Sequence, residues 1–598
     1  MRYRRNEGMD AFDQTFTSDH SNVLEKLWKL IPISEKRRLP LVALSLAIGA
    51  ALEVVGVGLL VPLVNLLSGN ARSPDESIFK HVFTVLNAKS QAQMLITGFL
   101  IIGVVILGKN CYLVIASYYQ NFQIAKVRSS IEQRVLARYF HEDYSFHLKR
   151  NSSLLSKNLL LEVNQVAFGV IAHLITVLVE ASAAVGIFSL LLYLEPLACC
   201  ALVFFFAICG IGYSKILSRL LQQLGQARSD LTGDAFKLVS EGFGGIKEIK
   251  VLGHEKYFES RFARNSDASV RVTTRIETAQ RIPAYFVELS AVLGLLLVVF
   301  ILVAQGSQGQ AVLSSLGLFV GASFRFVPAL NRILNSIQVI KLGKAAIEII
   351  FDAMVGGEEV VICDKNKMRF KNNLEFRDVS FQYDSQIAPV LKNISLSVSA
   401  GESLGVIGAS GAGKTTLVDL LLGLLTPTSG QVLVDGLAVD LTRYSWSSGV
   451  GYVPQEIFLL DDTIRNNIAL GISPSEISES QVVECLEIAR LSGFVESLPE
   501  GLNTMIGEKG VRISGGQRQR IGIARALYHR PSLVVLDEAT SALDLETERE
   551  FVETLEALHN SITMIVVSHR LTTLKYCDRT IRISGGQLVS EPNPAFPS

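Results

Sequence analysis

Residues 408–416 read GASGAGKTT, a G-x-x-x-x-G-K-[ST] stretch whose reading decides the fold of the second half of the chain. The apolar run Leu404–Ile407 feeds straight into it as a strand, and Thr415–Leu425 follows as a helix. Strand, glycine loop and helix in that order make a phosphate cradle. Gly408, Gly411 and Gly413 let backbone N–H groups point inward, the helix dipole favours an anion, and Lys414 reaches the β and γ oxygens. Thr415 is placed to coordinate Mg2+. Ala409, Ser410, Ala412 and Thr416 complete the stretch assigned to ATP.

Further motifs follow in a fixed order within about 160 residues. Leu533–Leu536 reads as a strand that delivers Asp537 to the metal. Glu538 stands next to it, where it can orient or deprotonate an attacking water. Gln455 ends the apolar stretch 450–454 and is expected to touch both metal and water. His569 follows the strand Met564–Val567, which brings an imidazole to the γ-phosphate. A lone Gln after a Pro or a lone His after a strand is unremarkable, and two carboxylates can merely end a strand. The set carries weight through its order. The expected catalytic residues are therefore Glu538, His569 and Gln455, and the expected Mg2+ ligands Thr415, Gln455 and Asp537.

From Leu374 onward short β-rich runs alternate with helical segments and turn residues, the texture of an α/β nucleotide-binding domain. The polar stretch 348–373 is expected to be a linker, 374–591 the nucleotide-binding domain, and 592–598, with three prolines, an unstructured tail.

The 598-residue chain is 49% hydrophobic with a mean hydropathy of +0.35, too apolar for an ordinary soluble enzyme. Six stretches are long enough to cross a bilayer: 39–67, 94–119, 166–193, 197–217, 283–303 and 312–333. The first starts too far in, and runs too long, for a cleaved signal peptide. Lys and Arg crowd the arm 1–38 and the loops 121–165 and 215–282, while the turns near Glu195 and Gln305 have none, so both termini and both long loops are expected in the cytoplasm. The fold class expected is an α-helical membrane domain of six transmembrane helices, 39–347, followed by an α/β P-loop nucleotide-binding domain. Equal totals of 56 basic and 56 acidic residues leave no basic excess for nucleic acid. Seven cysteines without C-x-x-C spacing read as free thiols, and no histidine falls in a metal-binding arrangement.

Two amphipathic stretches flank the spans. Leu24, Leu27, Trp28 and Ile31 share a helix face beside Lys26 and Lys29, which suits an interfacial helix or a helix packed on the protein. Ile78, Phe79, Val82, Phe83 and Leu86 form a second stripe, an ordinary loop helix or a contact with lipid headgroups.

This set of motifs resembles the ATP-binding cassette (ABC) transporters. The resemblance implies that Ser514, Gly515, Gly516 and Gln517 form the signature closing over ATP held by a second cassette. It implies that Tyr383 stacks on adenine, that Ser541–Asp544 crosses the dimer interface with Asp544 at the nucleotide, and that His569 is the switch histidine. Ile513 and Lys509 depart from the commoner Leu and Arg but keep size or charge. One membrane domain with one cassette implies a half-transporter of exporter type that works as a dimer, most economically a homodimer, with Mg-ATP as cofactor. Segment 241–252, EGFGGIKEIKVL, looks like a coupling region of such exporters.

A Lys or Arg at the bilayer centre costs roughly 3 kcal/mol on insertion scales, so such residues face an aqueous cavity or a partner. Lys109, Arg281, Arg325 and Arg332 lie in or at the ends of spans, and the last two, seven apart, share a helix face. In a dimer they suit a cavity for phosphate or pyrophosphate, with Glu53 as a counter-ion; the bland reading lets Lys109 and Arg281 snorkel. FRFVPALNRI (324–333) and DLLLGLLTPTSGQVLVDG (419–436) resemble the lipid-linked oligosaccharide flippases of bacterial protein N-glycosylation. That resemblance implies ATP-driven movement of a polyprenyl-pyrophosphate-linked oligosaccharide to the outer leaflet of an inner membrane, with membrane lipids as further partners. The alternatives are an exporter of a drug, peptide or phospholipid, and an ATP-binding receptor or gate. No cysteine-protease domain precedes the first span, which disfavours a peptide exporter that trims its own cargo.

Overall fold

The computed structural model describes residues 23–58, 91–194, 196–304, 309–355, 371–383, 388–441, 446, 449–507, 510–539, 545–559 and 561–589. The stripe at 78–86, Lys509, the segment 541–544 with Asp544, and the tail lie outside them. Two compact units divide the chain: 1–142 with 149–360, and 361–598 with the segment 143–148.

The first unit is helical. Its helices are α1 (Val23–Leu30), α2 (Ile33–Lys36), α3 (Leu39–Gly58), α4 (Gln91–His141), α6 (Ser152–Lys157), α7 (Ala172–Leu194), α8 (Pro196–Gly244), α9 (Ile246–Leu252), α10 (Glu255–Ala304), α11 (Gly309–Leu342) and α12 (Lys344–Val355); the short α5 (Tyr144–Lys149) falls, but for its last residue, in the segment grouped with the second unit. Each expected span falls, in its described part, on a long helix. By length and composition three helical stretches among the described residues can cross a membrane: Phe99–His141, Ser152–Tyr193 and Glu255–Ile301. At 51 residues α4 is about 75 Å long, more than twice the hydrocarbon thickness, and α8 and α10 are nearly as long. In α4 and α10 one end is apolar enough to span and the charged end continues as helix beyond it, where i,i+4 pairs such as Arg128–Glu132 at 2.9 Å lie on the surface. Pro283 and Pro328 sit inside α10 and α11 without ending them.

Between α6 and α7 the helix widens into two π-helical stretches, Asn158–Glu162 and Gln165–Ile171. Here Lys157 pairs with Glu162 at 2.7 Å, and the Ser229 hydroxyl on α8 donates to the same carboxylate at 2.6 Å, all three side chains buried. The backbones approach closely nearby. A Cβ on Gly225 would lie 2.4 Å from the Leu342 carbonyl oxygen.

One expectation changes and one open reading is narrowed. Helix α12 runs to Val355, so the stretch expected as linker from 348 begins as helix; Ile347 and Ile350, one turn apart, are fully buried and hold it. The α1 stripe splits: Leu27, Leu30 and Ile31 are buried, while Leu24 and Trp28 are exposed. Arg134 on α4 donates to the Leu30 carbonyl at 2.9 Å, fixing α1 to the protein.

The second unit is α/β. Strands β1 (Asn373–Phe381), β2 (Leu391–Ser399), β4 (Ser429–Val434) and β5 (Leu437–Ala438) form an antiparallel sheet in the order β2-β1-β4-β5. The other sheet is β10-β9-β3-β8-β7-β6, built from β3 (Ser403–Gly408), β6 (Val450–Val453), β7 (Leu533–Asp537), β8 (Thr563–Val567), β9 (Arg579–Ser584) and β10 (Gln587–Val589). Strands β9, β3, β8, β7 and β6 are parallel, and every residue of β7 and β8 is buried, as expected of a sheet covered on both faces. Helices α13 (Lys414–Leu421), α14 (Ile464–Ile468), α15 (Glu479–Ile488), α16 (Gly515–Tyr528) and α17 (Leu545–Leu558) complete this unit with shorter turns.

Candidate functional site

Because β3, β8, β7 and β6 are parallel neighbours, their carboxyl ends open on one edge of the sheet, where ligands of such folds bind. The register sets Val406 beside Val567, Asp537 beside Val567, and Val453 beside Leu536. Residues just past those positions are brought together. Gly408 ends β3, Asp537 ends β7, His569 lies two residues past β8 and Gln455 two past β6.

Glycine is required in the loop for two separate reasons. Gly411 and Gly413 hold φ of 77° and 107°, and a Cβ on Gly408 would lie 2.6 Å from the Ile583 carbonyl oxygen. Lys414 opens α13, is buried, and donates to the carbonyls of Gly408 (2.9 Å) and Ala409 (3.2 Å). Its ammonium also lies 3.7 Å from the Glu538 carboxylate. Glu538 sits at φ 46°, in the left-handed region, and its backbone N–H donates to Val567 at 2.9 Å. That conformation is costly for a non-glycine residue and turns the side chain out of the strand line. Gln455 Nε2 donates to Glu538 at 3.1 Å.

His569 Nε2 lies 2.9 Å from Lys414 Nζ and 2.9 Å from the Glu538 carboxylate. In a neutral ring that nitrogen either accepts from the ammonium or donates to the carboxylate, one at a time. Whatever draws Lys414 away therefore frees His569 to serve Glu538.

The carboxylates bear on whether the site suits a divalent cation. Burial and the neighbouring Glu538 push the Asp537 carboxyl up, with Lys414 opposing, and burial with Asp537 pushes Asp419 on α13 up to about 6. Acids that crowd one another in this way suit a divalent cation. Asp537 with the Thr415 hydroxyl and Gln455 fits Mg2+ in chemistry.

Tyr383 stands half exposed, its hydroxyl 3.1 Å from the Thr416 hydroxyl and its ring edge-on to Phe381. Ser514 caps α16 in a reciprocal box with Gln517: its hydroxyl accepts from the Gln517 N–H at 3.2 Å, and the Gln517 side chain accepts from the Ser514 N–H at 2.9 Å. Among the described residues no hydrogen bond or ion pair joins Ser514–Gln517 to the glycine loop.

In the membrane unit the basic residues separate into two kinds. Arg325 and Arg332 on α11 converge on Glu180, a buried carboxylate on α7. Arg332 Nε donates to Glu180 Oε1 at 2.5 Å and its Nη2 to Oε2 at 3.2 Å, while Arg325 Nη2 reaches Oε2 at 3.5 Å. Farther along the same two helices His173 Nδ1 lies 3.1 Å from the Ser336 hydroxyl. Arg281 is exposed and Lys109 half-buried, and neither joins the cluster among the described residues. Glu180 is a counter-ion to Arg325 and Arg332 that the sequence reading did not name. The expected counter-ion, Glu53, has a side chain outside the described set.

A family model described as "ABC transporter" matches residues 391–541, and one for the "ABC transporter transmembrane region" matches 59–324. An "ATP-dependent lipid A-core flippase" of Burkholderia orbicola is 32% identical, covering 80% of this chain and 80% of its own. A protein of the same description from Ralstonia nicotianae is 32% identical over 79% and 80%. This chain belongs to the ABC transporter family. The solved "Structure of a bacterial Atm1-family ABC exporter with ATP bound" superposes with a TM-score of 0.75 at 23% identity, covering 93% of this chain and 94% of the other, which gives the exporter fold.

As an ABC transporter of exporter fold, the chain is an ATP-dependent, ATPase-coupled translocase, a helical membrane domain followed by an α/β nucleotide-binding domain. Sequence reasoning missed Glu180. Its signal was present: it is the acidic residue in the middle of the third span, and it shares a helix face with His173 seven residues earlier.

Proposed function

We propose that this transporter works as a homodimer and moves a phosphate-bearing glycolipid from the cytoplasmic to the outer leaflet of a bacterial inner membrane. The observation that carries the reading is the Arg325–Glu180–Arg332 cluster: planar guanidinium forks within apolar helices, a geometry matched to carboxylate and phosphate. The finer cargo we infer is a polyprenyl-pyrophosphate-linked oligosaccharide, in line with the FRFVPALNRI and cassette stretches. Lipid A-core is the second reading, favoured by the descriptions of the relatives. Both present phosphate beside sugar and lipid.

In this reading Lys414 and the loop Gly408–Gly413 hold the phosphates, and Thr415, Asp537 and Gln455 hold Mg2+. Glu538 activates water, His569 senses the γ-phosphate and Tyr383 supports adenine. Each signature, Ser514–Gln517, serves the partner's nucleotide together with Asp544. The exposed short helix α9, with Val251 and Leu252 largely uncovered, is the coupling element. Lys109 and Arg281 guide the anionic head toward the cluster.

The test is ATP-dependent movement of labelled polyprenyl-pyrophosphate oligosaccharide and of labelled lipid A-core in proteoliposomes of the purified single chain, with Glu538→Gln as control. Movement of one cargo by wild type alone selects it and establishes self-sufficiency. Movement of neither, with ATP turnover intact, overturns the phosphoglycolipid reading in favour of a drug, peptide or ordinary phospholipid.

A further inference from the structure

The buried carboxylate of Glu180 already occupies the fork that the proposed cargo needs. Its two oxygens take up Arg332 side-on, at 2.5 and 3.2 Å, the bidentate arrangement an Arg offers a phosphate. Arg325 approaches more loosely, at 3.5 Å. The accessibilities are unequal: the Glu180 side chain is 9% exposed, that of Arg325 21% and that of Arg332 44%. The acid thus lies behind the guanidiniums, and an incoming anion meets cations first. Two guanidiniums on one carboxylate also leave one positive charge per chain among these three groups. A phosphate monoester carries about −1.5 to −2 at neutral pH and matches that pair better than a carboxylate does. The Thr176 hydroxyl, one turn from Glu180 on α7, is committed to the Ala172 carbonyl at 3.0 Å.

We propose that Glu180 is an internal stand-in for the cargo phosphate: it holds the Arg325–Arg332 fork closed, yields it to an anionic lipid head, and reclaims it to expel that head. The idea rests on the phosphoglycolipid reading above. A built-in competitor lowers the apparent affinity by the fraction of time the fork is free, so the cargo is bound without being trapped. The net charge that remains keeps an attraction for anions, and the burial of the acid ensures that it has one favourable place to return to.

Equilibrium binding to the full chain in phosphatidylcholine nanodiscs tests this, with polyprenyl pyrophosphate as probe and the neutral polyprenol as control. Glu180→Gln, nearly equal in shape, is expected to tighten pyrophosphate binding about tenfold or more and leave polyprenol unchanged. It is also expected to slow ATP-driven release. Glu180→Asp keeps the charge but falls a methylene short of the fork. It shifts affinity in the same direction by less, and decides the matter if the Gln variant fails to assemble. A wild type that binds pyrophosphate with unchanged or weaker binding in both variants makes Glu180 a structural counter-ion and overturns only this proposal. If wild type and Glu180→Gln both ignore the pyrophosphate, the phosphoglycolipid reading falls as well.

Discussion

The nucleotide site and the membrane cluster solve the same problem, holding charge at low exposure, by different constructions. In the cassette, Lys414, Glu538, His569 and Gln455 come from the ends of four adjacent parallel strands, and each lies within two residues of a strand or opens the next helix. In the membrane unit Glu180 and the two arginines come from the middles of two helices about 150 residues apart. A parallel sheet places residues by strand register, so local sequence tells where they go. Helix faces place residues by packing, and packing is not local. The cassette should therefore fail chemically when a single residue is changed, whereas the membrane cluster should fail structurally and recover when its partner is changed too.

The largest effect expected is on the cassette side. Glu538→Gln removes the group that Gln455 and His569 both touch, and ATP turnover should fall by on the order of 100-fold or more, the usual worth of a positioned general base. Steady-state phosphate release measures it. Turnover within a few-fold of wild type would break the comparison at its stronger end.

Next comes the membrane cluster. Arg332→Ala leaves Glu180 buried with only the longer Arg325 contact, and should cost on the order of 3 kcal/mol. The paired Arg332→Ala, Glu180→Ala variant should regain part of that, because it removes the buried carboxylate, while Arg325, 21% exposed, loses its contact with Glu180. Thermal inactivation midpoints of the purified chain compare the two. A double variant no better than the single would show that the cluster is not one unit.

How much was legible in advance follows the same division. GASGAGKTT and the strand before Asp537 were readable because a fully apolar strand ending in a functional residue is a contiguous pattern, and Asp537, Glu538, Gln455 and His569 lie at or just past the strands read for them. The arginines were readable as costly residues in spans. Glu180 was not paired with them, because neither spacing nor composition shows which face of the third span meets the sixth. The helix through Val355 was hidden for a related reason: Ile347 and Ile350 lie among charges, and only their burial on neighbouring helices marks the segment as structured.

A smaller effect separates two glycines of the membrane unit. Gly225→Ala drives a Cβ to 2.4 Å from the Leu342 carbonyl and should cost about 1–3 kcal/mol by overpacking. Gly103→Ala meets nothing within 4 Å on α4 and should be neutral or slightly stabilising through helix propensity. Equal midpoints for the two would mean that the α8–α11 approach is looser than the structure shows.

The smallest effect returns to the cassette, where burial acts without any motif. Burial pushes the Cys485 thiol up to about 11 and, with Asp578 adding to it, the Cys577 thiol up to about 12. Both remain thiols at neutral pH, so maleimide at about pH 7.5 should leave them unmodified until the chain unfolds. The same shifts fix a sign for stability. Above the ordinary thiol pKa the unfolded chain releases these protons while the folded cassette keeps them, so folding stability should be full below about pH 8 and fall by about pH 10. Replacing both by Ala should flatten that fall, at the cost of a lower midpoint from the lost packing. A native cassette that reacts at either thiol at neutral pH would show that this part of the core opens readily, which would remove the contrast between a rigid engine and a packing-dependent membrane site.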